Sequence, residues 1–174
     1  MSNIEKTFTT LEIVNIVSYL NQMTDEQTKC LPTKFRWNLK KNLEKLLPLA
    51  KRFEDFRNDI SQEFQKEWFT EERSEEIEQP IMDDNGNPAV DSDGNQLTNT
   101  VRRIKKEFMS DYDANLQEQN GRLREILEEE NDVMISAVDF EAFVDSLDDD
   151  SPIDFDALNI LCFMDETTNV KEAE

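Results

Sequence analysis

The stretch PTKFRWNLKKNLEKLLPLAKRFEDFRNDISQEFQKEW (residues 32–68) decides the predicted fold of this chain. Its apolar residues recur at spacings of three, four or seven, the heptad-like period of a long amphipathic helix. They are Phe35, Leu39, Leu43, Leu46, Ala50, Phe53, Ile60, Phe64 and Trp68. Pro32 suits the first turn of this helix, whereas Pro48 should kink it or divide it in two because proline removes a backbone hydrogen bond. The outward positions carry charges of both signs, which is typical of a solvated helix face.

Two shorter helices are predicted before this stretch. Thr9 and Glu12 have the spacing of a capping box and begin a helix that extends to Met23. A second box, formed by Thr24 and Gln27, begins a short helical turn. The apolar face of the first helix has helical period and comprises Leu11, Val14, Ile16, Val17 and Leu20.

An octapeptide is duplicated after the long helix, as residues 83–90 (DDNGNPAV) and 91–98 (DSDGNQLT). Because Asn-Gly and Asp-Gly supply the positive φ angles of tight turns, the repeat predicts two turns between three short extended pieces. This unit is expected to be a small β meander or hairpin. Calcium binding is the alternative, but alignment with a calcium loop lacks the first and last ligands. Residues 71–79, which precede it, are expected to be the fraying end of the long helix.

A second long helix is predicted to start near Val101 and to run to residue 131. Its apolar positions are Ile104, Phe108, Tyr112, Leu116, Leu123, Ile126 and Leu127. Four basic residues at its start are expected to hold neighbouring carboxylates rather than to contact a partner, namely Arg102, Arg103, Lys105 and Lys106. Joined by the turn unit, the two long helices should lie antiparallel and bury Phe and Leu between them.

The C-terminal part is predicted to hold one strand and two short acidic helices. The run Val133 to Val138 is rich in β-forming residues and is expected to pair with the turn unit. Asp139 caps the first helix, and Ser151 with Pro152 begins the second. From Asp165 onward we expect a disordered tail.

The predicted fold class is therefore mainly α: a long antiparallel helical hairpin with a small β hairpin or meander appendage and short C-terminal acidic helices. The 174 residues fit a single domain. Its predicted segments are N-terminal helices (1–78), a β-turn appendage (79–100), a long helix (101–131), an acidic strand and helix segment (132–165) and a tail (166–174).

Acidic residues are concentrated in the second part of the chain. Residues 1–68 hold 11 Lys/Arg against 10 Asp/Glu, a net charge of +1, whereas residues 69–174 hold 8 against 30, a net charge of −22. Such a segment repels phosphate and anionic membranes and attracts basic protein surfaces or cations. We therefore expect a protein partner with a basic surface, and neither direct nucleic-acid binding nor membrane binding. The candidate interaction surface comprises Glu128, Glu129, Glu130, Asp148, Asp149, Asp150, Asp154 and Asp156.

The composition gives little support for catalysis. The chain has no histidine, the commonest general base and metal ligand, and its two cysteines, Cys30 and Cys162, form no CxxC pair. The sequence contains no phosphate-binding loop and no nucleophile motif, so no catalytic residue, metal or cofactor is assigned. With no signal pattern and no apolar run of about 18–20 residues, a cytoplasmic location is expected.

The order of features resembles a family of small, uncharacterised acidic proteins of tailed bacteriophages and prophages of Gram-positive hosts. The resemblance is carried by an apolar first helix (residues 11–16), a basic and apolar second helix (34–47), the D-x-N/D-G-N turns, a helix ending in residues 128–130 and a last helix (157–162). It covers most of the chain and implies a phage origin, with residence in the host cytoplasm or a virion. It implies no catalytic residue.

Three hypotheses follow. The first is a non-enzymatic interaction protein, such as a phage assembly factor, accessory virion component or chaperone. The alternative is an acidic mimic of nucleic acid that inhibits a host defence nuclease. The third is a metal-dependent enzyme or metal-binding protein that uses the C-terminal aspartates. A homo-oligomer is possible in each case, because an apolar helix face can pair within one chain or between two.

Overall fold

The computed structural model describes residues 2–83, 86–92, 94–148 and 150–167. In chain order, the first elements are β1 (Asn3–Thr9), α1 (Thr10–Gln22), α2 (Asp25–Cys30), α3 (Thr33–Trp68), β2 (Ser74–Pro80) and β3 (Thr98–Ile104). A 3₁₀ turn (Lys106–Phe108) then leads to α4 (Met109–Leu127), β4 (Glu130–Ser136), α5 (Phe140–Asp145), α6 (Phe155–Leu161) and a last 3₁₀ turn (Cys162–Met164). Helices account for 57% of the structure, so the chain is mainly α.

The chain divides into two compact units. Unit 1 comprises Met1–Phe56 and Leu123–Glu174, and unit 2 comprises Arg57–Arg122. Helices α3 and α4 contribute residues to both units. Unit 1 therefore combines the two ends of the sequence, which the strand pairing described next explains.

The sheet of unit 1 pairs β1 with β4 in antiparallel register, from Asn3 opposite Ser136 to Thr9 opposite Glu130. The predicted C-terminal strand is thus confirmed, but its predicted pairing with the turn unit is wrong. Strand β1 was not predicted, because Lys6 lies in the apolar series between Ile4 and Phe8 and hides the two-residue period. A partner more than 120 residues away also leaves no local signal.

The core of unit 1 lies between this sheet and the helices around it. Phe35 of α3 stacks on Phe143 of α5 with ring centroids 4.0 Å apart, and Phe8 of β1 meets the edge of Phe163 at 6.4 Å. Aromatic pairs of this kind each contribute about 0.5–1.5 kcal/mol beyond the area they bury. Side chains with no exposed surface at the centre of this core include Ile13, Leu46, Ile135, Ala157, Leu161 and Met164.

Polar side chains of α3 hold the outer edge of β4. Asn42 is fully buried and accepts the backbone N–H of Ser136 at 2.7 Å, and its amide donates to the Ser136 carbonyl at 3.1 Å. Asn38, one turn earlier and equally buried, donates to the Ala137 carbonyl at 3.4 Å, and Lys45 donates to the carbonyl of Met134. Positions 38, 42 and 45 share one helix face, so α3 supplies the hydrogen bonds that a third strand would otherwise make.

The sheet of unit 2 is a hairpin in which β2 pairs with β3, from Ser74 opposite Ile104 to Pro80 opposite Thr98. Two predictions are wrong here. Residues 74–80 are a strand rather than a fraying helix end, and the second long helix begins at Met109 rather than near Val101. Cross-strand ion pairs explain why both segments are strands rather than helices: carboxylates of β2 face guanidinium groups of β3, and these pairs stabilise the extended conformation. These pairs are Arg102 with Glu76 at 3.4 Å and Arg103 with Glu75 at 2.8 Å.

The octapeptide repeat forms the predicted two turns. In the first, the Asp83 carboxylate accepts the Asn87 backbone N–H at 2.8 Å; in the second, Asp91 accepts the same group of Asn95 at 2.9 Å. The glycines have φ angles of 79° at Gly86 and 85° at Gly94. Three backbone hydrogen bonds link the extended pieces in a ring. The N–H of Ile81 donates to the carbonyl of Leu97 at 2.9 Å, that of Leu97 to the carbonyl of Ala89 at 2.8 Å, and that of Ala89 to the carbonyl of Ile81 at 2.7 Å. The eight-residue period of the repeat therefore sets the positions of all three donors. The two turns and three extended pieces are as predicted, but the first piece also bonds to the third, so the unit is a closed ring rather than an open meander or hairpin.

Two predictions about the helices concern the effect of Pro48 on α3, for which a kink or a division was expected, and the cap of α6. Helix α3 continues from Thr33 to Trp68 without division at Pro48. Helix α6 is capped by Asp154, whose carboxylate accepts the Ala157 N–H at 2.8 Å, rather than by Ser151. The capping boxes of α1 and α2 and the cap of α5 by Asp139 are confirmed.

Contacts between α3 and α4 within unit 2 are aromatic. Tyr112 lies 5.2 Å from Phe64 and 5.4 Å from Trp68 between ring centroids. None of the described side chains of α4 is buried. A coiled-coil hairpin along both helices is therefore not confirmed.

Asp165 and Glu166, which were predicted to begin a disordered tail, take part in backbone hydrogen bonds. The backbone of Val138 donates to Met164 at 2.9 Å and accepts from Glu166 at 3.2 Å, so Asp165 and Glu166 are ordered against the end of β4. Residues 168–174 of the predicted tail lie outside the described residues.

Candidate functional site

The eight predicted acidic residues fall in two groups of unit 1. We call them the carboxylate surface: Glu128, Glu129 and Glu130, where α4 leads into β4, and Asp148, Asp149, Asp150, Asp154 and Asp156, from the loop after α5 into the first turn of α6. Asp149 lies outside the described residues. Within the described part of the chain, no hydrogen bond or ion pair joins one group to the other.

The backbone of the first group has a structural role. The Glu129 carbonyl accepts the N–H of Thr10 at 2.9 Å and its hydroxyl at 3.3 Å, and it also accepts the amide of Asn131 at 3.1 Å. Glu130 pairs with Thr9 across the sheet. The side chains of Glu128, Glu129 and Glu130 are exposed, so the fold holds the backbone and leaves the three carboxylates in solvent.

The second group is mixed in role. Asp148 and Asp150 line a shallow cavity of about 250 Å³ together with Cys30. Asp154 is committed to capping α6, a role that sequence reasoning missed by assigning the cap to Ser151. Burial, and then the negative charges of Asp154 and Asp156, raise the pKa of the Tyr19 hydroxyl.

Among the described residues, no ion pair neutralises the carboxylate surface. The ion pairs that join Glu67, Glu75 and Glu76 to arginines lie in unit 2. None of the seven described members of the carboxylate surface takes part in an ion pair. Its negative charge is therefore free to act on an approaching partner.

A second feature, which the sequence did not predict, is the free edge of β1. Asn42 binds both backbone groups of Ser136 from the side opposite β1, so these groups point away from β1. In an antiparallel pair, the residue opposite such a position also points its N–H and C=O outward. By the same alternation, the backbone groups of Asn3, Glu5 and Thr7 point away from β4. No hydrogen bond to these groups occurs among the described residues.

A cavity of about 280 Å³ lies beside this edge. It is lined by residues 6–8 of β1, by Glu12 and Ile16 of α1, and by residues around α6 that include Cys162 and Phe163. Because no residue of β4 is among its described lining, the cavity is on the free side of β1. One carboxylate oxygen of Glu12 accepts the Thr9 N–H at 2.8 Å in the capping box, at the rim of the cavity.

Two ionisable groups in this cavity are held by structural hydrogen bonds. Lys6, with 2% of its surface exposed, donates to the Asp165 carbonyl at 2.6 Å. Burial lowers its pKa, while the nearby Asp165 and Cys162 act in the opposite direction. Burial raises the pKa of the Cys162 thiol, which donates to the Asn159 carbonyl at 2.8 Å. The Lys6 bond therefore ties β1 to the C-terminal segment, whereas the Cys162 bond is local to that segment.

Two kinds of feature are absent from the described residues. No cluster of three or more of their Cys, Asp or Glu side chains has an arrangement suited to a metal ion; Asp149 is not among them. None of the helices combines the length and the apolar character needed to cross a membrane.

Comparisons with known proteins gave no match to a protein-family model, to a curated protein or to a solved structure. The resemblance to phage proteins therefore stays a prediction.

Proposed function

We propose that this chain is a non-enzymatic interaction protein that binds a protein partner with a basic surface. The observation that carries the proposal is the absence of ion pairs among the seven described members of the carboxylate surface, compared with the paired carboxylates of unit 2. Unpaired surface charge steers an oppositely charged partner and speeds its association. The net charge of −21 acts in the same direction over the whole molecule.

The test is affinity capture with two variants of equal net charge. One variant replaces three unpaired carboxylates, Glu128→Gln, Glu129→Gln and Glu130→Gln. The matched control replaces the three paired ones, Glu67→Gln, Glu75→Gln and Glu76→Gln. The wild-type chain and the control should capture the same basic proteins from a bacterial lysate at about 0.1 M salt, and the first variant should lose them.

Capture of the same proteins by all three chains would contradict the proposal, because the unpaired carboxylates would then have no role. Competition with duplex DNA distinguishes the proposed function from the alternative, an acidic mimic of nucleic acid. A nucleic-acid mimic would lose its captured partner to DNA, whereas a partner held at a surface unrelated to nucleic acid would stay bound.

The proposed phage origin has a separate test. The leading hypothesis, an assembly factor, accessory virion component or chaperone, expects neighbouring genes that encode tail or head proteins. A cluster of small early genes would favour inhibition of a host defence enzyme instead. Neighbours unrelated to phages would contradict the origin.

A further inference from the structure

The free edge of β1 is open along at least three successive outward positions. Asn3 and Glu5 are exposed and Thr7 is half-buried, so solvent and a partner chain can reach them. Their N–H and C=O groups are arranged as a strand presents them to the next strand of a sheet. On the other side of the sheet, α3 fills the corresponding edge of β4 with Asn42 and Asn38. One edge of the sheet is thus covered and the other is not.

The surroundings of the edge indicate the chemistry of an added strand. Cross-strand partners share a face, so Glu5 and Thr7 lie on the same outer face as Met134, Asp132 and Glu130. That face carries three carboxylates, and Lys6, the one basic residue of the two strands, is on the opposite face and buried. The carboxylate of Glu12 lies beside the same edge.

A second copy of this chain suits the edge poorly. Pairing of two β1 strands centred on Glu5 would place two glutamates opposite each other, and like charges in that position are destabilising. Each copy would also bring a net charge of −21. A segment with alternating basic residues avoids both costs, and the 280 Å³ cavity beside the edge can receive one of its apolar side chains.

We propose that the free edge of β1 binds a basic segment of a partner protein in extended conformation, as an added strand of the β1–β4 sheet. This inference rests on the proposed function and names the form in which the basic partner binds. The backbone groups of Glu5 and Thr7 hydrogen bond to the segment, Glu5, Glu12 and Asp132 attract its basic side chains, and the cavity beside Phe8 selects an apolar one.

The experiment uses the full chain and a hexapeptide of alternating Lys and Val. Amide hydrogen exchange measured by NMR should show that the Glu5 and Thr7 amides exchange quickly in the free chain and slowly with the peptide. The Ile4 and Lys6 amides, which bond to β4, should be protected in both states. A hexapeptide of alternating Glu and Val is the control for charge and should give no protection.

Two changes remove the backbone hydrogen bonds. Glu5→Pro deletes an outward N–H that β4 does not use, a position where an edge strand tolerates proline. It should weaken the peptide about tenfold, as expected for the loss of one or two hydrogen bonds, whereas Glu5→Gln should weaken it less. Methylating alternate amides of the peptide should have the same effect on the unaltered chain, which keeps the test valid if Glu5→Pro unfolds.

The outcomes separate this inference from the proposed function. If the peptide binds without protecting the Glu5 and Thr7 amides, and only the Glu128, Glu129 and Glu130 variant weakens it, the strand site is wrong and the proposed function stands. Protection that is unchanged in that variant supports the strand site and contradicts the role of the carboxylate surface.

Two other results would show a different occupant of the edge. Protection that rises with protein concentration alone assigns the edge to a second copy, and protection in the dilute free chain assigns it to a segment of the same chain. Either of these last two results overturns the inference.

Discussion

At the scale of single residues, buried amides determine how α3 meets the sheet. Asn38 and Asn42 have the same side chain, the same helix face and no exposed surface, but they differ in hydrogen bonding. Asn42 satisfies two backbone groups of Ser136, whereas Asn38 makes one long bond and its Oδ1 has no partner among the described residues. The sequence could not predict this, because an Asn within an apolar heptad is equally consistent with a solvent-facing position.

Replacing Asn42 with Ala should therefore cost more than replacing Asn38 with Ala. Both changes remove the same volume, but only Asn42→Ala leaves a buried N–H and a buried C=O without partners. We expect a loss of about 3 kcal/mol in the free energy of unfolding for Asn42→Ala and about 1–2 kcal/mol for Asn38→Ala. Urea unfolding of the two variants measures the difference, and equal losses would show that the bidentate contact adds nothing.

The pH dependence of stability should report on Lys6. Burial lowers its pKa in the folded chain below the ordinary value of 10.5. Between those two values the unfolded chain binds more protons than the folded chain, so the contribution of Lys6 to stability rises with pH in that window. Below the window, the cost of the buried ammonium is fully present.

Lys6→Met removes this dependence, and unfolding free energies measured at about pH 7 and about pH 10 compare the two chains. The stability of the wild-type chain relative to the variant should increase between these values. Tyr19 and Cys162 titrate in the opposite sense; both chains carry Tyr19, and Cys162→Ser in both chains removes the thiol that interacts with Lys6. A difference that stays constant with pH would mean that the pKa of Lys6 is not lowered.

At the scale of elements, local signals predicted what short-range chemistry determines. The capping boxes of α1 and α2, the length of α3 and the two turns of the octapeptide repeat follow from spacings of three to eight residues. Elements fixed by distant partners were missed: β1 depends on β4, and β2 depends on β3 across the whole repeat. The carboxylate surface was predicted as one set of residues, but the capping role of Asp154 depends on where α6 begins, and the free strand edge depends on the register of β1 with β4.

The three glycines supply a test at this scale, since each Cβ that alanine would add has open space around it. At Gly86 and Gly94 the φ angles are positive, so alanine should lower stability by about 1 kcal/mol through backbone strain. Gly121 lies inside α4, where alanine should raise stability by about 0.5–1 kcal/mol. Hydrogen exchange at Ala89 and Leu97 and thermal unfolding measure the effects. The same sign at all three positions would contradict the turn geometry.

At the scale of the whole molecule, the described ion pairs lie in unit 2 and the carboxylate surface lies in unit 1. Unit 2 neutralises carboxylates within its hairpin, since Glu75 and Glu76 face arginines across the strands. Unit 1 carries the described carboxylate surface without such partners, and it also carries the free edge of β1. We therefore assign binding to unit 1, where the unpaired carboxylates attract a basic partner.

Calorimetric titration with oligolysine at increasing salt concentration measures whether these carboxylates bind a basic partner. We expect equal affinity for oligolysine in the wild-type chain and in the variant of Glu67, Glu75 and Glu76. Both affinities should fall at least about tenfold between about 0.05 M and 0.5 M salt, because salt screens the attraction between exposed charges. The variant of Glu128, Glu129 and Glu130 should bind more weakly at low salt and depend less on salt, although its net charge equals that of the control. Identical affinities and identical salt dependence for the two variants would show that the unpaired carboxylates are not the binding site.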